Sequence, residues 1–332
     1  MSGYLALLCT RLGNAEGTLP PRLELREIPR MPLEAGQVRL RVKAAGLNFF
    51  DQLMLKGLYQ FSPPLPFVPG AEAAGQVIEV GPEVTNWQIG DSVIASLRIG
   101  AFAEEAVTSA GTLLRKPDSY SFAEAAAFPV GAMTAWGALV ARGQLQAGEL
   151  LLVLGAGGGM GLAAVSLGHQ LGARVAALAS TPDKRLLTEL AGADLALDGS
   201  RADWPGKLRS HYHGSPSVIF DPVGGDAFNR AWQVAGPQTR YLVIGFASGQ
   251  LPRVPADYLQ VTEASLIGVR AGEHLRRRPA LVPAQRKFLQ QWLDGTASPP
   301  QITECYPLAD AYSALAQLAA RQAGGKLVLE VG

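Results

Sequence analysis

Hydrophobic and polar residues alternate with period two over much of the first third of the chain. Arg22–Ile28 (RLELREI) and Gln37–Ala45 (QVRLRVKAA) each put apolar side chains on one face and polar ones on the other, which predicts strands buried on one side. Glu72–Val80 (EAAGQVIEV) and Asp91–Leu97 (DSVIASL) follow, separated by turn signals at Gly81-Pro82 and Gly90. Asn48–Gly57 (NFFDQLMLKG) reads as a helix between them. Residues 1 to about 120 therefore predict a β domain with little helix.

The texture changes after Pro117. Ser121, with Glu124 three residues on, forms a capping box for a helix over Phe122–Phe128, and a second helix is expected over Ala132–Arg142. Apolar runs then recur at Leu150–Leu154, Val175–Ala179, Leu195–Leu197, Val218–Phe220, Tyr241–Ile244 and Leu266–Val269, spaced by helix-length segments. Strands alternating with helices make a parallel sheet with crossover connections, hence a doubly wound α/β domain. An amphipathic helix over Asp310–Arg321 and a strand over Lys326–Val331 follow.

Composition narrows the function classes. A chain of 332 residues exceeds the roughly 250–300 that one core organises, so two domains are expected. Lys plus Arg total 29 against 28 for Asp plus Glu, a balance that argues against binding nucleic acid by bulk electrostatics. Two cysteines, Cys9 and Cys305, build neither a disulfide framework nor a Cys-rich zinc module, and the four histidines offer no pair at helical spacing. No metal site is expected. The N-terminal segment lacks a basic region before its short apolar run. The apolar stretch Leu150–Val165 is broken by five glycines and falls short of the ~20 residues of a membrane span. A soluble, cytoplasmic protein with no membrane partner is expected.

The strongest local signal follows Leu150–Leu154. That run feeds into Gly155-Ala156-Gly157-Gly158-Gly159-Met160-Gly161 and then into the helical segment Leu162–Leu171. Glycine lets backbone approach a pyrophosphate closely, and a helix N-terminus supplies free N–H groups and a positive dipole end. Gly155, Ala156, Gly158, Gly159, Met160 and Gly161 are thus candidate cofactor-binding residues. About 20 residues on, an NAD site would carry an acidic residue at the end of the second strand. Here that strand ends at the small, neutral Ser180, with Lys184 and Arg185 within one turn, a pattern suited to a 2′-phosphate. Asp183 falls in the first turn of a helix capped by Thr181 with Pro182 at its first position, where it complements the dipole. Ser180 and Lys184 point to NADPH.

Several motifs in this order resemble the zinc-free quinone oxidoreductase (zeta-crystallin-like) branch of the medium-chain dehydrogenase/reductase superfamily. They are Ala44-Ala45-Gly46-Leu47-Asn48-Phe49-Phe50-Asp51, Val68-Pro69-Gly70-Ala71-Glu72, the glycine turn, Phe220-Asp221-Pro222-Val223-Gly224-Gly225, Ile244-Gly245-Phe246-Ala247-Ser248-Gly249 and Gly325-Lys326-Leu327-Val328. The resemblance implies an α/β protein: a GroES-like, β-rich catalytic domain with an inserted Rossmann domain, and the active site in the cleft between. The expected bounds are 1–125 for the catalytic domain, 126–268 for the Rossmann domain and 269–332 for the return. Zinc-dependent relatives carry a cysteine in the place of Asn48 and a histidine in the place of Ala71.

The resemblance further implies that Asn48, Asp51 and Tyr59 line the substrate side as catalytic candidates. Asn48 would donate a hydrogen bond to an acceptor oxygen. Asp51 would line the pocket or only cap the local helix, and Tyr59 would bond a ring or form plain cleft wall. Thr134, Gly245, Phe246, Val269 and Arg270 match positions near the nicotinamide. Lys326 matches a basic position reaching the pyrophosphate, or is a solvated lysine. Arg276-Arg277-Arg278 reads as a solvated run, or as a holder of acyl-coenzyme A phosphates.

Without a Lewis acid, an acceptor that delocalises the incoming electrons is favoured, so NADPH-dependent reduction of a quinone is the leading reading. Reduction of an activated C=C bond in an enal, enone or enoyl thioester is the alternative. A non-enzymatic NADPH-binding protein is a third, from another class. The apolar edge Ser265–Val269 predicts two-fold strand pairing and a homodimer, as in relatives.

Overall fold

The alternating segments become strands with nearly the expected bounds in the computed structural model, which describes residues 3–254, 256–295, 298–320 and 323–332. Strand β1 (Gly3–Arg11) pairs antiparallel with β2 (Arg22–Pro29) as a two-stranded sheet. Alternation did not signal β1 because consecutive Ala6 and Leu7, and then Cys9, are all buried. Next come β3 (Gln37–Gly46), helix α1 (Phe49–Leu55), β4 (Glu72–Val80), β5 (Ser92–Ser96), β6 (Glu105–Ser109) and β7 (Leu113–Arg115). The pairs β3–β4, β4–β5, β5–β7 and β3–β6 are all antiparallel. Both β6 and β7 are too short to show a period.

Helix α2 (Phe122–Ala127) carries the expected capping box: Glu124 N donates to Ser121 Oγ at 3.2 Å, and Ser121 N to the Glu124 carboxylate at 2.7 Å. Helix α3 (Pro129–Ala135) begins three residues before the expected start. From Trp136 to Arg142 it continues as a π-helix, with Gly143 N bonded to Ala138 O. By length and composition Phe122–Arg142 could cross a membrane, but 67% of its most apolar window is buried inside the protein, as in a core helix.

The strand–helix alternation then unfolds in order: β8 (Leu150–Val153), α4 (Gly159–Gln170), β9 (Arg174–Ala179), α5 (Pro182–Leu190), β10 (Leu195–Asp198), α6 (Trp204–Tyr212), β11 (Val218–Asp221), α7 (Gly225–Trp232), β12 (Arg240–Val243), α8 (Ala256–Thr262), β13 (Ser265–Gly268), α9 (Ala271–Arg276) and α10 (Val282–Asp294). The six strands are parallel in the order β10-β9-β8-β11-β12-β13. That order reverses direction at β8, the switch point where open α/β sheets bind ligands beyond their strand ends. Leu152, Trp204, Ile219, Phe228, Trp232 and Tyr241 are among its core residues.

The chain returns through β14 (Ile302–Pro307), α11 (Ala311–Ala319) and β15 (Lys326–Glu330). Strand β15 pairs antiparallel with β3, with Val328 opposite Gly46, and parallel with β14. The completed sheet is β14-β15-β3-β4-β5-β7, with β6 also on β3. Arg321, the expected end of the last helix, lies outside the described residues.

Two units result, Met1–Val130 with Pro299–Gly332, and Gly131–Ser298. The resemblance places the return at 269, directly after β13. Residues 269–298 instead stay with the second unit, where Ala271 of α9 abuts Gly137 so closely that a Cβ on that glycine would lie 2.9 Å from the Ala271 Cβ.

Candidate functional site

Two polar regions stand out, one in each unit. In the second unit, the chain leaves β8 into Gly155, whose φ of +58° is a left-handed conformation that glycine adopts without steric cost. A side chain there would also strike Val223, 2.7 Å away. Ala156 N donates to Leu178 O at 2.8 Å and pins the turn to β9. Gly158 caps α4 in an extended conformation, and a Cβ placed on it would meet nothing nearer than Gly155 O at 3.7 Å. Gly161 allows the helix to close on the turn, since its Cβ would lie 2.5 Å from Gly155 O. The amides of Gly159, Met160 and Gly161 have no acceptor within the helix they open, so they and the α4 dipole offer an anion site. These residues fit a dinucleotide pyrophosphate.

Ser180 is exposed at the end of β9. The aliphatic stem of Lys184 lies over Gly157, where a Cβ would come within 2.6 Å of the Lys184 Cβ, and partial burial pulls its ammonium pKa down. Thr181 caps α5 and Asp183 sits exposed in its first turn, as the sequence suggests. Arg185 is held by Asp198 at 3.4 Å, at the end of β10. The ends of β12 and β13 bring Gly245, half-exposed Phe246, buried Val269 and exposed Arg270 to the same carboxyl edge of the sheet. Thr134 lies one turn after Gly131, which packs against the first turn of α4. Arg276 and Arg277 pair with Glu273, and Arg278 with His274.

Asp221, at the end of β11, had no assigned role. It is buried and accepts hydrogen bonds from Val223 N (2.7 Å), Gly224 N (2.9 Å) and Tyr241 Oη (2.9 Å). It therefore shapes the loop that abuts Gly155. Burial raises its carboxyl pKa and, together with the Asp221 charge, raises the Tyr241 phenol.

The first unit holds a buried polar cluster. Asn48, just before α1, donates from Nδ2 to Glu72 Oε1 at 2.8 Å and accepts at Oδ1 from Lys326 Nζ at 2.9 Å. Lys326 Nζ also donates to Leu47 O at 2.9 Å and to Glu72 Oε1. Glu72 Oε2 accepts from Val130 N, in the first turn of α3, at 2.8 Å. Asp51 accepts from Asn48 N at 2.8 Å, which is the capping role considered for it. Burial lifts the Asp51 carboxyl to about 7, against the opposing hydrogen bond from Asn48 and the charge of Lys326. Tyr59 stacks on Phe50 with ring centroids 5.4 Å apart and packs beside the core.

This geometry corrects the expectation for Lys326. Its three ammonium hydrogens are all taken by partners in the first unit, and the residue is 7% exposed, so it is neither solvated nor left with a donor for a pyrophosphate. Glu72 is the residue that sequence reasoning missed, although it sits in a quoted motif. The usable signal was a carboxylate followed directly by the small residues Ala73, Ala74 and Gly75, where a buried charge demands a buried cation. The same cluster does not fit a zinc ion: Ala71 has no donor, and an ammonium already occupies Glu72. Among the described residues no three His, Cys, Asp or Glu side chains converge as metal ligands.

The chain matches the family described as alcohol dehydrogenase GroES-like domain over residues 34–118 and that described as zinc-binding dehydrogenase over 159–284. It is 34% identical to the quinone oxidoreductase-like protein 2 homolog of Nematostella vectensis, over 98% of this chain and 88% of that protein. Among solved structures, mycobacterial Rv1454c complexed with NADPH superposes with a TM-score of 0.85 at 28% identity, covering 98% of this chain and 99% of the other. An NAD-dependent alcohol dehydrogenase gives the same TM-score, 0.85, and 28% identity over 99% and 100% of the two chains.

Proposed function

The chain belongs to the quinone oxidoreductase-like branch of the medium-chain dehydrogenase/reductase superfamily, and on that premise we propose that it is an NADPH-dependent reductase of quinones. The observation that carries the reading is Asn48: fixed in a buried cluster, it retains one Nδ2–H after bonding Glu72. When bound, the nicotinamide supplies a hydride. The Gly155–Gly161 turn and the first turn of α4 hold the pyrophosphate, and Ser180 with Lys184 takes the 2′-phosphate. The two structural neighbours carry different nicotinamides in their descriptions, so the preference for NADPH rests on those two residues.

The remaining Asn48 N–H donates to an oxygen of the acceptor and orients it. That oxygen gains negative charge as the acceptor is reduced, so the hydrogen bond strengthens along the reaction. A quinone spreads the charge over its ring and asks less of the site than a simple ketone would. The outer edge of β13, with Leu266 41% exposed, is proposed to pair with a second copy; a dimeric mass by light scattering is the expected result.

Parallel NADPH and NADH oxidation assays with 1,4-benzoquinone, crotonaldehyde and crotonyl-coenzyme A test the reading, beside fluorescence titrations of both cofactors. Fast NADPH-linked turnover of the quinone is expected. Turnover confined to crotonaldehyde or the thioester would move the activity to conjugated C=C bonds. Tight NADPH binding without turnover of any acceptor would favour a non-enzymatic role.

A further inference from the structure

The Asn48 amide is gripped from both ends. Its oxygen faces the Lys326 ammonium at 2.9 Å and one of its N–H groups faces the Glu72 carboxylate at 2.8 Å. Rotating the amide by half a turn would set NH₂ against ammonium and oxygen against carboxylate. Two charge-assisted hydrogen bonds would become two repulsive contacts in a dry interior. Both gripping residues are themselves anchored, Glu72 by Val130 N and Lys326 by Leu47 O. The second Nδ2–H of Asn48 meets no acceptor among the described residues, so what remains is a single N–H of fixed polarity.

We infer that Glu72 and Lys326 are positioning residues that lock the Asn48 amide as a hydrogen-bond donor, restricting the site to acceptors that present an oxygen lone pair. The cation on Oδ1 also withdraws electron density from the amide and strengthens its remaining N–H, as expected when hydrogen bonds polarise one another. The second carboxyl of the cluster, Asp51, bonds the Asn48 backbone and leaves the side chain to the other two. The inference rests on the proposed function only in requiring that the reaction be reduction of an oxygen-bearing acceptor.

Two independent readouts test it. The chain has four asparagines, Asn14, Asn48, Asn86 and Asn229, so selective isotope labelling gives a short set of side-chain amide signals, with that of Asn48 identified by Asn48→Asp. In the wild type its two amide protons should be widely separated and slow to exchange. Glu72→Gln keeps the volume but replaces the charged acceptor with a neutral amide whose NH₂ must face either Val130 N or Lys326, so the grip on the Asn48 N–H weakens; the separation should narrow. With 1,4-benzoquinone the same variant should lose at least about tenfold in kcat with little change in KM. Lys326→Arg should recover much of the kcat lost in Lys326→Met. An unchanged Asn48 signal and unchanged kcat in Glu72→Gln would overturn the lock. So would an equal rise in KM without loss of kcat. If the wild type reduces no quinone, the proposed activity falls, and the amide signals alone still decide whether the lock exists.

Discussion

The two polar regions are built from opposite materials. The turn after β8 is made of backbone: glycines that admit close approach, amides left open by a helix start, and side chains only at the margin. The cluster around Glu72 is made of side chains: an amide, two carboxyls and an ammonium, each nearly or fully buried and each spoken for. The turn offers unpaired donors to something that arrives. The cluster has already satisfied almost everything it owns and offers one N–H. Affinity for a charged ligand comes from the first kind of construction; orientation and polarity come from the second.

The largest effect that would sharpen this contrast is Lys326→Met. It strands the Glu72 charge in the interior and should cost about 3–5 kcal/mol in urea unfolding. Combining it with Glu72→Gln should restore a substantial part, because the stranded charge is gone. If the single variant were as stable as the wild type, the cluster would not be the tightly balanced unit described. In the turn, Gly161→Val drives a side chain into Gly155 O and should cost about 1–3 kcal/mol by overpacking while weakening NADPH by about tenfold or more. Fluorescence titration beside a melt separates the two effects.

Asp51 gives a pH signature. Its carboxyl is raised from 3.8 to about 7 by burial, so the folded chain holds a proton that the unfolded chain releases. The sign follows: the stabilisation is fully present below the ordinary carboxylate value and is lost as pH rises through about 7. Lys326 from β15 and Glu72 from β4 are the charges acting on it. The wild type should lose about 2 kcal/mol between pH about 5.5 and about 8, and Asp51→Asn should flatten that slope, read by chemical unfolding at each pH. The smallest effect is Lys184→Ala, which should reduce the ratio of NADPH to NADH affinity by about tenfold with little change in NADH binding. An unchanged ratio would remove Lys184 from the nucleotide site.

The same contrast explains what could be read in advance. The turn was legible because strand, glycines and helix lie within some twenty residues of chain, and Gly155 and Gly161 each have a local geometric reason. The six parallel strands were legible because their apolar runs are continuous. Short β6 and β7, and β1 with both faces covered, left no period to see. The cluster was half legible. Asn48 and Asp51 were recognised, and the Asp51 cap follows from their spacing. The pairing of Glu72 with Lys326 spans 254 positions and is set by the register of β15 on β3, which no local pattern carries. Without sight of Glu72, Lys326 reads as a pyrophosphate ligand, whereas it pairs with Glu72, Asn48 and Leu47.

That long span has a consequence for how the molecule is made. The 131–298 segment is contiguous and can gather its contacts as it leaves the ribosome. Strand β3 pairs early with β4 and β6, but its end at residues 44–46 meets β15 only later, and until Lys326 arrives the Glu72 carboxylate lacks the cation it pairs with. The centre that fixes Asn48 is thus completed only after the 131–298 segment has been made. A nascent chain would hold a carboxylate that is safer wet than buried, which favours keeping the early sheet open until β15 has been made.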